Sequence, residues 1–342
     1  MKHTINIVIV ILICLIPFAS KFKFSSSETG VVTELSEVIA TPLPHRNAVV
    51  HTNIGDIEAI AYIANVEYEI GDEVMLQKDA QSSGEYFLSD KVRTTPLLQL
   101  FILFIIVVLL VSGYAGVRSL LGLLFSFVVI FRFVLPQIAM GSNPMTIALI
   151  ASIIILMVSY YLTHGINQKS NIAIAGTFAA LLVTGILASV FGSASHLSGY
   201  GVEETAFLID KLPNTSFYNL LIAGFIIGSL GILDDITISQ ASIVEQLAIA
   251  NRKFSAYELY KRAMQIGHDH ISSLVNTLVL VYAGSALPLL LLFVMGDISP
   301  LHLLNYEVVA EEIVRTLVGS IGLVTAVPLT TILAAWHFGR NK

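Results

Sequence analysis

Two adjacent carboxylates, Asp234 and Asp235, close an apolar run that begins at Leu220, and Thr237, Ser239 and Gln240 follow at once. A second polar group, Asp269, His270 and Asn276, opens the next apolar run. Carboxylate, hydroxyl and amide oxygens are the hard ligands of Na⁺, Mg²⁺ or a proton relay, and an imidazole adds affinity for a transition metal. At mid-bilayer an acid costs roughly 2.5 to 3.5 kcal/mol unless water, a partner or an ion compensates it. Asp234, Asp235, Thr237, Ser239, Gln240, Asp269, His270 and Asn276 are therefore the candidate substrate- or ion-binding residues, with a proton, Na⁺ or a divalent cation as the ions such donors admit. On a helix continuing past Leu233, Asp235, Ser239 and Ser242 share a face, and Asp269, Ser272, Ser273 and Asn276 share another, so the two faces can enclose one hydrophilic cavity. The bland alternative places the acids and His268 in interfacial water at helix ends.

A second cluster marks the last apolar run. Glu311, Glu312 and Arg315 stand at its start, Ser320 lies between Gly319 and Gly322, and Pro328 precedes Thr330 and Thr331. Small residues let helices approach closely, and a proline frees a backbone carbonyl that a cavity or ion can use. Close packing alone is the simpler account of the glycines. No cofactor and no particular metal is assigned by these residues.

The elements that must position them are set by composition. The chain has 342 residues, 55% hydrophobic and 12% charged, with a mean hydropathy of +0.81. Soluble domains carry roughly 25% charge, so the expected class is an all-α polytopic membrane protein whose surroundings are a lipid bilayer. A net charge of −6 leaves no basic patch for a phosphate backbone and speaks against nucleic acid. The single Cys14 cannot form an intramolecular disulfide.

Eight apolar runs approach the length of a crossing: Ile5 to Ala19, Leu97 to Tyr114, Leu120 to Val134, Met145 to Leu162, Ile172 to Phe191, Tyr218 to Leu233, Leu274 to Met295 and Ile313 to Trp336. The first also begins as a secretory signal does, but Pro17 or Phe18 would stand where cleavage prefers a small residue, so an uncleaved anchor over 1–19 is expected. If each run crosses once, Lys2, Arg118, Lys169, Arg252, Lys253, Lys261, Arg262, Arg340 and Lys342 gather on one side. The positive-inside rule then puts both termini in the cytoplasm.

Residues 20–96 differ in kind. They open with a polar, flexible leader, Phe24 to Gly30, and continue as short alternating stretches at Ala48 to Thr52, Ile57 to Ile63, Glu73 to Lys78 and Glu85 to Leu88. Gly55-Asp56, Gly71-Asp72 and Gln81 to Gly84 supply turn chemistry between them. A small extracytoplasmic β-domain, barrel or sandwich, is expected, either as a rigid cap or as a module that binds a ligand or partner. Residues 97–342 form a seven-span domain with a cytoplasmic helical hairpin at 236–268. Its arms are a helix over Ser239 to Ala250 and another opened by a capping box, Ser255 with Glu258.

The blocks Gly231 to Gln240, Gly267 to Ile271 with Val275 to Leu278, and Leu317 to Val324 with Ala326 to Thr330 resemble the signature blocks of the YibE/F family of bacterial multipass membrane proteins. Tyr86 to Asp90 with Arg93 is similar to that family's approach to the second span, and the resemblance covers about Asp90 to Trp336. It implies an integral protein of the bacterial cell membrane and assigns no catalytic residue. From the residues themselves, acids and helix breaks inside a large helical body favour an ion-coupled secondary transporter or permease. The alternative is a membrane sensor or assembly partner whose outer β-domain binds a ligand or protein, with a homo-oligomer or a second membrane protein as its associate. An intramembrane metalloenzyme is the third reading, although His-Glu-x-x-His, a nucleophile elbow and a phosphate loop are all missing. The expected answer is that the chain is not an enzyme.

Overall fold

The computed structural model describes residues 28–39, 44–62, 66–78, 85–201, 203–296 and 299–340. The first apolar run, Ile5 to Ala19, and the turn Gln81 to Gly84 lie outside them. The chain forms two compact units, one up to Val117 and one from Arg118.

In the first unit five strands close a barrel: β1 (Glu28–Leu35), β2 (His45–Thr52), β3 (Gly55–Tyr62), β4 (Glu73–Lys78) and β5 (Tyr86–Lys91). The order is β1-β2-β3-β5-β4, with β4 closing on β1 and β3 running parallel to β5, the Greek-key order of OB-type barrels. Alternation decides the inside: Val32, Val50, Val74, Leu76 and Leu88 are buried together, as period-two patterning requires. Gly71 sits at φ 99°, a left-handed conformation that glycine adopts without penalty, so the turn before β4 forms there. The expected leader is shorter than the sequence suggests. Glu28, Thr29 and Gly30 belong to β1 and pair with Leu76, Met75 and Val74 of β4, because a polar strand face is stable once its backbone finds an edge.

Five helical stretches among the described residues are long and apolar enough to cross a membrane: Thr94–Ala139, Pro144–His164, Gln168–Ala194, Phe217–Ala250 and Glu307–Gly339. The first joins α1 (Thr94–Val129), a π-turn (Ile130–Val134) and α2 (Leu135–Ala139). It merges two of the expected runs. Its 46 residues are more than one crossing of the hydrocarbon needs, and the ladder is broken at Gly113 (φ 52°, ψ −130°).

In the second unit α3 (Pro144–His164), α4 (Gln168–Ala194), the short α5 (Glu203–Ile209), α6 (Phe217–Ala250), α7 (Ala256–Ser285), α8 (Leu287–Met295), the single turn α9 (Pro300–Leu303) and α10 (Glu307–Arg340) follow in order. The core is made where α4, α6 and α10 pack on one another, with α3 against α6 and α7 against α10. Glycines set the α4–α10 distance. A Cβ at Gly176 would land on Thr330 Oγ1, and one at Gly322 would land on Thr184 Oγ1, so each helix offers a small residue to a hydroxyl of the other.

Two expectations about helix ends change. The helix foreseen over Ser239 to Ala250 is the last part of α6, which runs unbroken through Asp234 and Asp235. The run Leu274 to Met295 is divided at Ala286 between α7 and α8, because Pro288 lacks an N–H and its ring crowds the preceding turn. The capping box is formed as expected: Ser255 Oγ accepts from Glu258 N at 3.3 Å, and Glu258 Oε2 accepts from Ser255 N at 2.8 Å.

Candidate functional site

Asp234 and Asp235 lie within α6, well before its end at Ala250. They line a cavity of about 490 Å³ whose polar wall comes from Ser119 and Ser126 of α1 and from Ser159, Tyr160, Thr163 and His164 of α3. The α3 residues occupy one helical face, since 159 and 163, like 160 and 164, are four apart. Gly122 admits α1 to that face: a Cβ there would stand 3.1 Å from Ser159 Oγ and 3.3 Å from Thr163 Oγ1. Arg118 Nε donates to Leu162 O at 2.6 Å, which satisfies a carbonyl of the last turn of α3. Near the same end of α6, Glu245 pairs with Lys169 at 3.5 Å.

The floor of the cavity is a closed hydroxyl network. Tyr160, 1% exposed, donates to the Asp234 backbone carbonyl at 2.8 Å and meets Thr237 Oγ1 at 2.6 Å and Thr177 Oγ1 at 3.0 Å. The two threonine hydroxyls are 2.5 Å apart, and each also donates within its own helix, Thr177 to Ala173 O and Thr237 to Leu233 O. Each hydroxyl carries a single hydrogen, placed either on one of these carbonyls or on a neighbouring hydroxyl oxygen, and together the three join α3, α4 and α6. Asp234 is half-buried beside this network, and Asp235 is exposed toward the cavity.

The remaining sequence candidates disperse. Thr237 belongs to the network and does not line the cavity. Gln240, fully buried, donates from Nε2 to Ala263 O at 3.0 Å and Thr331 Oγ1 at 2.8 Å, tying α6 to α7 and α10. Ser239 and His270 line a separate groove of about 720 Å³. Asp269 and Asn276 are exposed and line neither. The single cavity expected from two polar faces is therefore not assembled among the described residues, because α7 turns its Asp269 face away from the acids of α6.

The second cluster is likewise spread out. Glu312 pairs with Arg315 at 3.0 Å, and that guanidinium lies 5.1 Å from the centre of the Phe225 ring. Ser320 is 8% exposed and its hydroxyl lacks a hydrogen-bond partner among the described residues. Pro328 lies inside α10, about 24 Å along the helix from Glu312. These residues cannot share one ligand. Among the described residues no group of three or more His, Cys, Asp or Glu is placed to hold a metal ion.

Sequence reasoning missed Tyr160, His164, Ser126, Ser159 and Thr163. The signal was present as polar residues recurring at four-residue spacing inside an apolar run, but the partner of that face is fixed by tertiary packing.

No curated protein and no solved structure matches this chain. A family match does exist, to the YibE/F-like protein family over residues 100–340. That interval takes in the polar cavity and every helix from α3 to α10, and on it the chain belongs to the YibE/F-like protein family.

Proposed function

We propose that the protein is an ion-coupled secondary transporter or permease of the bacterial plasma membrane, not an enzyme, with both termini cytoplasmic and the barrel outside. The observation that carries this reading is the pair Asp234 and Asp235 within an apolar helix, facing a polar cavity of about 490 Å³ beside Tyr160 and His164. Acids inside a span are expensive and are kept where an ion, a proton or water uses them. The test is ion flux in proteoliposomes holding the purified full chain, under imposed gradients of H⁺, Na⁺ and Mn²⁺. Flux above that of empty liposomes for one of these ions is expected. Its absence for all three overturns the reading.

One observation favours a second reading, a sensor or assembly partner. The barrel carries a groove of about 480 Å³ lined by Ser36, Asn47, Glu58 and Tyr86, a mixed polar and aromatic surface able to take a ligand or protein. The first apolar stretch, of which 6% is buried, leaves a face for lipid, a second copy or another membrane protein. Binding at the barrel without flux would favour this alternative.

A further inference from the structure

The mouth of α10 holds two carboxyl groups in unequal circumstances. Glu307 is well supplied with donors: Ser198 N at 2.5 Å, Ser198 Oγ at 2.7 and 2.9 Å from its two oxygens, and Gly199 N at 3.0 Å. Three donor hydrogens suit an ionised carboxylate and leave one of its roughly four acceptor positions open. Glu311, one turn later, is 2% exposed, and its Oε1 has no hydrogen-bond partner among the described residues. That oxygen is aimed at the connection before α5, where a Cβ on Gly201 would stand 2.9 Å from it.

The charged groups facing Glu311 are Glu307, within side-chain hydrogen-bonding reach, and Arg315. Arg315 is already engaged by Glu312 at 3.0 Å and by the ring of Phe225, so it does not neutralise Glu311 directly. A dry carboxylate beside a second carboxylate, with the Gly201 backbone N–H as a donor but one oxygen left without any, is not sustainable. One proton resolves it: as a neutral acid, Glu311 donates to Glu307 and both groups are satisfied.

We propose that Glu307 and Glu311 form a proton-binding site in which Glu311 carries one exchangeable proton, donated to the Glu307 carboxylate. The proton comes from water and returns to it past residues 198–201, and no other bond is made or broken. Loss of the proton leaves two anions side by side and loosens the hold of Glu307 on Ser198 and Gly199. The site is separate from the Asp234 cavity, and the inference does not rest on the transport reading.

Infrared difference spectroscopy on the purified full chain in lipid nanodiscs, titrated from mildly acidic to alkaline pH, tests this. The protonated-carboxyl stretch should lose one component in Glu311→Gln and keep it in Glu312→Gln. Glu311→Gln preserves volume and an N–H donor toward Glu307, so the fold should hold. Should that variant not yield folded protein, Gly201→Ala and Glu307→Gln read the same component, which should shift in both. A full band in Glu311→Gln, an unmoved component in the other two variants, or loss of the component from the wild type on adding Na⁺ or Ca²⁺ at constant pH overturns the proposal. These outcomes do not depend on whether the chain moves an ion.

Discussion

Tyr160 of α3 donates its hydroxyl hydrogen to the backbone carbonyl of Asp234 on α6, at 2.8 Å. The acid that lines the cavity is thereby fixed through its main chain, and its side chain lies within hydrogen-bonding reach of the same hydroxyl. Interhelical hydrogen bonds in membrane proteins contribute roughly 0.6 kcal/mol on average and up to about 1.7. Tyr160→Phe should therefore lower stability by about that range, because it removes the α3 hydroxyl that joins Asp234 O, Thr177 and Thr237, although Asp234 O keeps Thr237 Oγ1 at 3.1 Å. Thermal unfolding of the two forms in the same detergent checks this; an unchanged midpoint would show that the carbonyl finds another donor.

Close approach of α4 and α10 predicts an asymmetric glycine scan. Gly176→Ala and Gly322→Ala place a methyl on Thr330 Oγ1 and Thr184 Oγ1, and overpacking of this kind costs about 1 to 3 kcal/mol. Gly228→Ala meets nothing within 4 Å and should be neutral or stabilising by up to about 1 kcal/mol, through helix propensity. Equal effects at all three positions would mean that the α4–α10 contact is looser than it is drawn here.

What could be read from the chain depended on how local its cause was. The turn expected at Gly55-Asp56 falls at Asn53-Ile54, with Gly55 and Asp56 already in β3, but the strands β2 and β3 and the Ser255 capping box are set by neighbouring residues, and each was legible. Glu28 to Gly30 was not, because what makes it a strand is the edge of β4, more than 40 residues away. The acids at 234 and 235 imitated a helix end, since charge and helix termination look alike in a sequence. The helix continues because Thr237 and Gln240 beyond them are buried against α3, α4, α7 and α10. Asp269 failed to join the acids for the complementary reason: a shared polar pattern says nothing about which way two helices face.

The barrel should weaken in acid. Lys91, at 2.7 Å, holds the Asp72 carboxyl below its usual range, helped by the Glu69 backbone N–H. A carboxylate lowered in the folded state adds stability that is present above its unfolded pKa of about 4 and lost as pH falls through the folded value. The pair is partly exposed, so its contribution is below about 1 kcal/mol. Amide exchange in β4 and β5 of the full chain should speed up more below about pH 4 in the wild type than in Asp72→Asn. Parallel acid profiles for the two would remove Asp72 from the account.

Orientation can be read with cysteines at Tyr200 and Tyr257, which are 53% and 72% exposed and flank α6 at opposite ends. Ser198 would be a poor site, because its hydroxyl is held by Glu307. In a Cys14→Ser background, an impermeant maleimide in intact cells should label Tyr200→Cys and spare Tyr257→Cys. The reverse result inverts the orientation, and equal labelling sinks the assignment of the two connections to opposite faces.

The two acids of α6 should separate by role. Asp235 is exposed toward the cavity, whereas Asp234 is half-buried beside the Tyr160 network. Asp235→Asn keeps volume and helix and removes a charge from the cavity wall, so flux should fall at least about tenfold, the effect of roughly 1.4 kcal/mol in one step, with folded yield unchanged. Asp234→Asn removes a charge that the helix must otherwise shelter. It should lower flux as well, but with a gain in thermal stability, because a half-buried charge beside the Tyr160 hydroxyl is removed. Asp210→Asn, in the exposed connection before α6, should alter neither. Flux and melting are to be measured at matched abundance in the membrane. Wild-type flux in Asp235→Asn would reduce the cavity acids to a solvated stretch of helix, and a loss of stability in Asp234→Asn would show that its carboxylate is paired, not sheltered.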